Sequence, residues 1–134
     1  MLTAGARYPG RAPIDAYGNG GFRFAGMSHR GSILCLPDAI EAWRPERLDD
    51  VSEADLARIL AAREEIDFVL IGTGQRHLLP PNGVRDLIKA AGLGLEIMAT
   101  GPAARTYNIL LAEKRRVATA LIAVDEPDAA RSAP

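Results

Sequence analysis

The period of apolar and polar positions changes near residue 50. Before it, apolar residues come in short β-like stretches: Ile14–Tyr17, Phe22–Met27, Ser32–Leu36, more apolar and so more deeply covered, and Ala39–Trp43. In the second of these, Phe22 and Phe24 fall on one face and Arg23 on the other, the spacing of a half-buried strand. Gly18-Asn19-Gly20-Gly21, His29-Arg30-Gly31 and Pro37-Asp38 punctuate the stretches with residue types that suit tight turns. The first third of the chain is therefore predicted to be an antiparallel β-meander.

After residue 50 the spacing becomes helical, interrupted by unbroken apolar runs. Val51-Ser52-Glu53-Ala54-Asp55-Leu56 reads as a helix start, with Ser52 as N-cap, Asp55 as the capping-box acid and Val51 packing on Leu56. Leu56, Ile59 and Leu60 form its apolar stripe, and the helix ends near Arg63 to Glu65. Phe68–Ile71 shows no polar alternation, which predicts a strand covered on both faces. Asn82 opens a second helix to Ala91, with Val84, Leu87, Ile88 and Ala91 as its stripe and Gly92 suited to close it. Leu95–Ala99 is the next strand. Thr100-Gly101-Pro102 starts a third helix, with proline in the first turn where its missing N–H costs nothing. That helix runs to about Lys114 and buries Ala103, Ala104, Tyr107, Leu110 and Leu111. Val117–Val124 is apolar on both faces and predicts an interior strand. A β-α-β-α-β series after a meander implies an α/β fold, a mixed sheet with helices packed on it. The expected organisation is an N-terminal arm over 1–12, a single domain over 13–124 and a disordered tail over 125–134.

Composition narrows the function classes. With 134 residues and a net charge of −1, the chain has no global field to draw in nucleic acid or anionic membrane. The lone cysteine, Cys35, lies in an apolar strand, so it is expected to be buried and structural. A reducing compartment suits that count. No apolar run is long enough to span a bilayer, and the N-terminus lacks the apolar core of a signal peptide. The expected location is the cytoplasm.

Candidate chemistry concentrates where two strands end alike, at Gly72-Thr73-Gly74 and at Thr100-Gly101-Pro102. If those strands are parallel, both ends share one sheet edge, where open α/β sheets bind ligands. The second end also opens a helix, whose free N–H groups favour an anion. Arg105 and Asn108 are three apart on that helix and share a side of it. Thr73, Gly74, Thr100, Arg105 and Asn108 are thus a candidate small-anion site. In the plainer alternative, the threonines are caps, Arg105 is solvated and Asn108 bonds neighbouring backbone. Gly72-Thr73-Gly74-Gln75-Arg76-His77 lacks the third glycine and the immediate helix of a dinucleotide fold, and Glu96 sits near the wrong end of its strand. His29 and His77 read as exposed loop residues without a second ligand at metal spacing. Asp49-Asp50 and Glu64-Glu65 read as solvated charges, and Ser28 and Ser32 lack a neighbouring base. No metal or cofactor is expected.

Ile14-Asp15-Ala16-Tyr17-Gly18, Gly21-Phe22, Gly31-Ser32, Pro37, Trp43, Ile71-Gly72-Thr73-Gly74 and Ala103-Ala104-Arg105-Thr106-Tyr107-Asn108-Ile109-Leu110 together resemble a known family. It is that of the mitochondrial complex I assembly factor 3 and its bacterial and archaeal homologues, over about Pro13 to Val124. The resemblance implies a three-layer α/β fold whose mixed central sheet has one antiparallel strand. It implies no enzyme activity, and it points to a protein-binding accessory role in building a membrane complex. Many relatives carry a cysteine in the segment matching Ala103 to Arg105; its absence here argues against thiol chemistry there. Under this reading the partner is a protein, contact with membrane complexes is peripheral, and a homodimer is compatible. Tyr17, Trp43 and Arg44 are the interface candidates, since aromatics and arginine dominate interface energetics; Phe22 belongs with them but suits the core better. A small-anion-binding protein or enzyme at the Thr73/Thr100 edge is the alternative.

Overall fold

The computed structural model describes residues 7–126. Among the described residues nine strands form two sheets. The larger has six strands: β1 (Arg7–Pro9), β5 (Ile33–Cys35), β6 (Ala39–Ala42), β7 (Phe68–Gly72), β8 (Gly94–Met98) and β9 (Val117–Leu121), in the order β1-β6-β5-β9-β7-β8. The smaller is a meander of β2 (Ile14–Gly18), β3 (Gly21–Phe24) and β4 (Met27–Arg30). β9, β7 and β8 are parallel, joined through α2 (Asn82–Ala90) and α3 (Thr100–Ala112). β5 pairs antiparallel with both β9 and β6, and β1 antiparallel with β6. Two strands, β5 and β1, therefore run against the other four.

The unbroken apolar runs are explained by coverage on both faces. Along β7, Val69 and Ile71 point into a core shared with Leu56, Ile59, Val84 and Ile88 from α1 (Ala57–Ala61), α2 and the turn before α1. Leu70, between them, points the other way, into a core with Tyr107, Ala103 and Ala104 of α3 and with Ile14, Phe22 and Phe24 of the small sheet. β9 divides likewise, with Ala118 and Ala120 on one side and Val117 and Leu121 on the other. The result is three layers. The small sheet and α3 together cover one face.

Several boundaries differ from the sequence reading. Phe22–Met27 is not one strand but two, folded back at Ala25-Gly26, both with positive φ. Alanine rarely adopts that conformation, so Gly26 alone marked the hairpin. His29 consequently lies within β4 rather than in an exposed turn, and it is buried at 6 % exposure. Its Nε2 lies 3.2 Å from the Ser32 carbonyl oxygen. The first helix has only five α-helical residues, flanked by 3₁₀ turns at Glu53–Leu56 and Arg63–Glu65. β9 stops at Leu121 because its neighbours run out there, β7 at Gly72 and β5 at Ile33. Arg7–Pro9, inside the stretch read as an arm, is an edge strand. Asp125 accepts a backbone bond from Asn19 N–H. Residues 1–6 of the expected arm and 127–134 of the expected tail lie outside the described residues, while Ala12, also read as arm, is buried.

Candidate functional site

Because β7 and β8 are parallel, their glycine- and threonine-bearing exits do meet at one sheet edge. What occupies that meeting point is the chain itself. The Thr100 hydroxyl donates to the Ile122 carbonyl at 2.6 Å and accepts from Gly74 N–H at 3.0 Å. The Thr100 N–H donates to Gly74 O, and the Thr73 N–H to Met98 O. The Thr73 hydroxyl donates to Arg76 O and accepts from Leu78 N–H. Gly72 is glycine for close approach: a Cβ there would sit 2.7 Å from Leu121 Cδ2 and 3.1 Å from Thr100 Cα. The group that comes near this loop is the first turn of α3.

Arg105 and Asn108 share a side of α3, as their spacing predicts, but that side faces β2. Asn108 bridges the strand's edge: its Oδ1 accepts from Ile14 N–H at 2.7 Å and its Nδ2 donates to Ile14 O at 2.8 Å. Arg105 Nη1 donates to the Tyr17 hydroxyl at 3.3 Å. The structure thus brings Thr73, Gly74 and Thr100 together and sets Arg105 and Asn108 elsewhere. A shallow hollow of about 200 Å³ remains at the strand-end edge, lined by Thr73, Gly74, Gln75, Leu78, Arg47 and Glu46 among others.

The interface candidates separate by burial. Trp43 is buried, and its Nε1 donates to the Asp55 carbonyl at 3.0 Å. Arg44 is exposed and grips the Asp55 carboxylate with two nitrogens, Nε to Oδ1 at 2.9 Å and Nη2 to Oδ2 at 2.7 Å. That guanidinium, with the Ser52 N–H, lowers the Asp55 carboxyl to about 2. Tyr17 is half-buried beside Arg105. Leu79 and Ile109 are exposed apolar side chains that the periodicity did not single out. Leu79 follows no period, and Ile109 sits at the margin of the α3 stripe.

A larger hollow, about 380 Å³, opens on the outer face of the small sheet, lined by Ala16, Gly18, Gly21, Arg23, Ser28 and Arg30 among others. Phe22, Phe24 and His29 point inward, so alternation turns Arg23, Ser28 and Arg30 outward. Arg23 stands opposite Ser28, and Arg30 opposite Gly21. Gly21 cannot carry a side chain, since a Cβ would lie 2.1 Å from the His29 carbonyl oxygen; this bare backbone is the floor. Sequence reading missed the hollow because bringing Arg23 and Arg30 onto one face of neighbouring strands requires the hairpin at Ala25-Gly26.

Comparison with known proteins gives the following. The chain is 39% identical over 115 residues to an uncharacterised protein of Rhodobacter capsulatus, covering 86% of this chain and 87% of that one. It is 32% identical over 109 residues to the NADH dehydrogenase [ubiquinone] 1 alpha subcomplex assembly factor 3 of Danio rerio, covering 81% of this chain and 63% of that protein's length. It is 39% identical over 80 residues to a 13 kDa major membrane protein of Francisella tularensis, covering 58% of this chain and 63% of that one. Among solved structures, an outer membrane protein of Bartonella henselae superposes with a TM-score of 0.83 at 49% identity, over 87% of this chain and 98% of that one. A Mth938-like domain of Bordetella pertussis gives 0.70 at 30% identity, over 91% of each. The model of the family described as protein of unknown function (DUF498/DUF598) matches residues 14–122, so the chain belongs to that family.

Proposed function

We propose that this chain is a non-enzymatic accessory protein that helps a membrane respiratory complex assemble by binding a protein partner, from the cytoplasm and peripheral to the membrane. The observation that carries the reading is the similarity to assembly factor 3 over 81% of the chain. Two structural facts support it. The hydroxyls of Thr73 and Thr100 and the amide of Asn108 are engaged within the fold. Arg44, which is exposed, and the half-buried Tyr17 are side chains suited to recognition, held in place by Asp55 and Arg105. Among the described residues no helix is long and apolar enough to cross a membrane, which suits a peripheral partner. The test is deletion in the source organism followed by native electrophoresis of the respiratory complexes. Subassemblies of the NADH:ubiquinone oxidoreductase should accumulate, and the wild-type gene should restore the complete complex. An unchanged complex overturns the proposal.

A further inference from the structure

The small sheet ends in an open strand. In the β3–β4 hairpin, Gly31 N–H donates to Gly20 O at 2.7 Å. Antiparallel pairs alternate between bonded and non-bonded, so Phe22–His29 and Phe24–Met27 are the bonded pairs that follow. Ser28 and Arg30 therefore direct their N–H and C=O groups away from β3, and among the described residues β4 pairs with no other strand. Among the described residues neither backbone has a hydrogen-bond partner. An unpaired edge of this kind is a template for another strand.

The face beside that edge is basic. Arg23 and Arg30 are exposed on neighbouring strands around the glycine floor, and among the described residues no carboxylate lines the hollow itself, the Asp125 carboxylate standing at its rim beside Gly20, on the side of the Arg30 guanidinium. Among the described residues neither guanidinium is in an ion pair. Asp125, held near Gly20 by Asn19 N–H, forms none with Arg30. A second copy added at β4 would bring Arg30 against the copy's own cations, and like charges across strands repel.

We infer that β4 accepts an extended acidic segment of the protein partner, added as a fourth strand, with carboxylates at alternate positions. Side chains two apart on an added strand share the face of Ser28 and Arg30. One carboxylate then meets Arg30. The next, opposite Ser28, lies within reach of Arg23 one strand further in. The peptide backbone supplies affinity and the two arginines select charge. This inference rests on the protein-binding reading above and names the chemistry of the partner.

The test uses the full chain and a short synthetic peptide of alternating valine and glutamate, with capped ends. Nuclear magnetic resonance titration should shift the amides of Ser28 and Arg30. Replacing the glutamates by glutamine, or using the chain with Arg23→Gln and Arg30→Gln, should weaken binding by about tenfold or more, roughly 1.4 kcal/mol. Methylating alternate peptide nitrogens should abolish binding. Equal affinity for the glutamine peptide, or shifts confined to other elements, overturns the inference. So does inorganic phosphate reproducing the shifts while the methylated peptide binds as well as the parent, which would mark an anion site without strand addition. Circular dichroism of the double variant checks that the fold is intact. Returning that variant to the deletion strain separates the two readings: restored assembly overturns the edge inference and leaves the accessory role standing. Failure with correct folding supports the inference.

Discussion

Gly72 and Gly21 are glycine for the same reason, crowding rather than backbone angle, and their substitutions should rank by what they meet. At Gly21 an added methyl would lie 2.1 Å from the His29 carbonyl, a backbone atom with nowhere to go. At Gly72 the nearest atom is the end of the Leu121 side chain at 2.7 Å, with Thr100 Cα behind it. Overpacking of this kind costs about 1–3 kcal/mol and occasionally more. Urea denaturation should place Gly72→Ala within that range and Gly21→Ala above it. Thr100→Val tests the neighbouring contact. It keeps the shape but leaves Gly74 N–H and Ile122 O without their hydroxyl, at about 1–3 kcal/mol for each buried group so orphaned. A variant as stable as wild type would contradict the geometry. Cys35 is the buried thiol the sequence implied: burial raises it from 9.0 to about 12. Burial also raises Tyr107, with Cys35 beside it. Between pH 9.0 and 12 the unfolded chain loses the thiol proton while the folded chain keeps it. The stability this provides is whole below 9.0 and is lost as pH rises toward 12. Thermal midpoints should fall on that alkaline limb, and the fall should be shallower in Cys35→Ala. Thiol reagents should label Cys35 only on unfolding.

Between elements, the joints are polar and local. Asn108 meets the N–H and C=O of Ile14 as a further strand would, fastening α3 to β2. Asn108→Leu leaves both backbone groups unpaired and should cost about 1–3 kcal/mol for each if it is sealed from water. Asn108→Asp keeps the acceptor but sets a carboxylate against Ile14 O, so it should be no better. At the start of the first helix, the Asp55 carboxylate reaches the Ser52 N–H at 2.8 Å and is gripped by Arg44. Its carboxyl is lowered from 3.8 to about 2. That contribution is present above 3.8 and is lost as pH falls toward 2; acid titration of Asp55→Asn should show a flatter loss of stability there. This joint was legible beforehand, because a serine three residues before an acid and a flanking valine carry the signal of a helix start. So were β7, α2 and α3, whose patterns are long or unbroken. The hairpin at Ala25-Gly26 was not, since alanine in the first turn position carries no signal of positive φ. With it went the burial of His29 and the placing of Arg23 and Arg30 on one face. The strand-end edge was read as a candidate small-anion site, and the structure puts the first turn of α3 against Gly72 there. Sequence cannot distinguish a ligand from the chain's own helix there; the answer depends on where Thr100 points.

At the scale of the molecule, one sheet serves two cores, and this decides how the parts melt. Leu70 faces Phe22, Phe24, Ile14 and Tyr107, while Val69 and Ile71, its neighbours along β7, face the α1–α2 side. The small sheet is therefore not an appendage. Remove Phe24, which is fully buried, and the covering of β7, β5 and β9 on that face is opened. Phe24→Ala should cost about 3–5 kcal/mol, comparable to removing a side chain from the central sheet itself. A chain of 134 residues is within the size at which single domains usually unfold in one step. With a shared core, the small sheet should unfold in the same transition as the parallel strands. The exception is the outer edge of β4, where the Ser28 and Arg30 amides face solvent. Native-state hydrogen exchange should therefore find β7 and β9 amides protected to the global limit and Phe22 and Phe24 close behind. The Ser28 and Arg30 amides should exchange by local opening alone. Were the small sheet to exchange as a separate, weaker unit, or Phe24→Ala to produce a second denaturation midpoint, the two sheets would be independent. The core assigned to them jointly would then have to be divided.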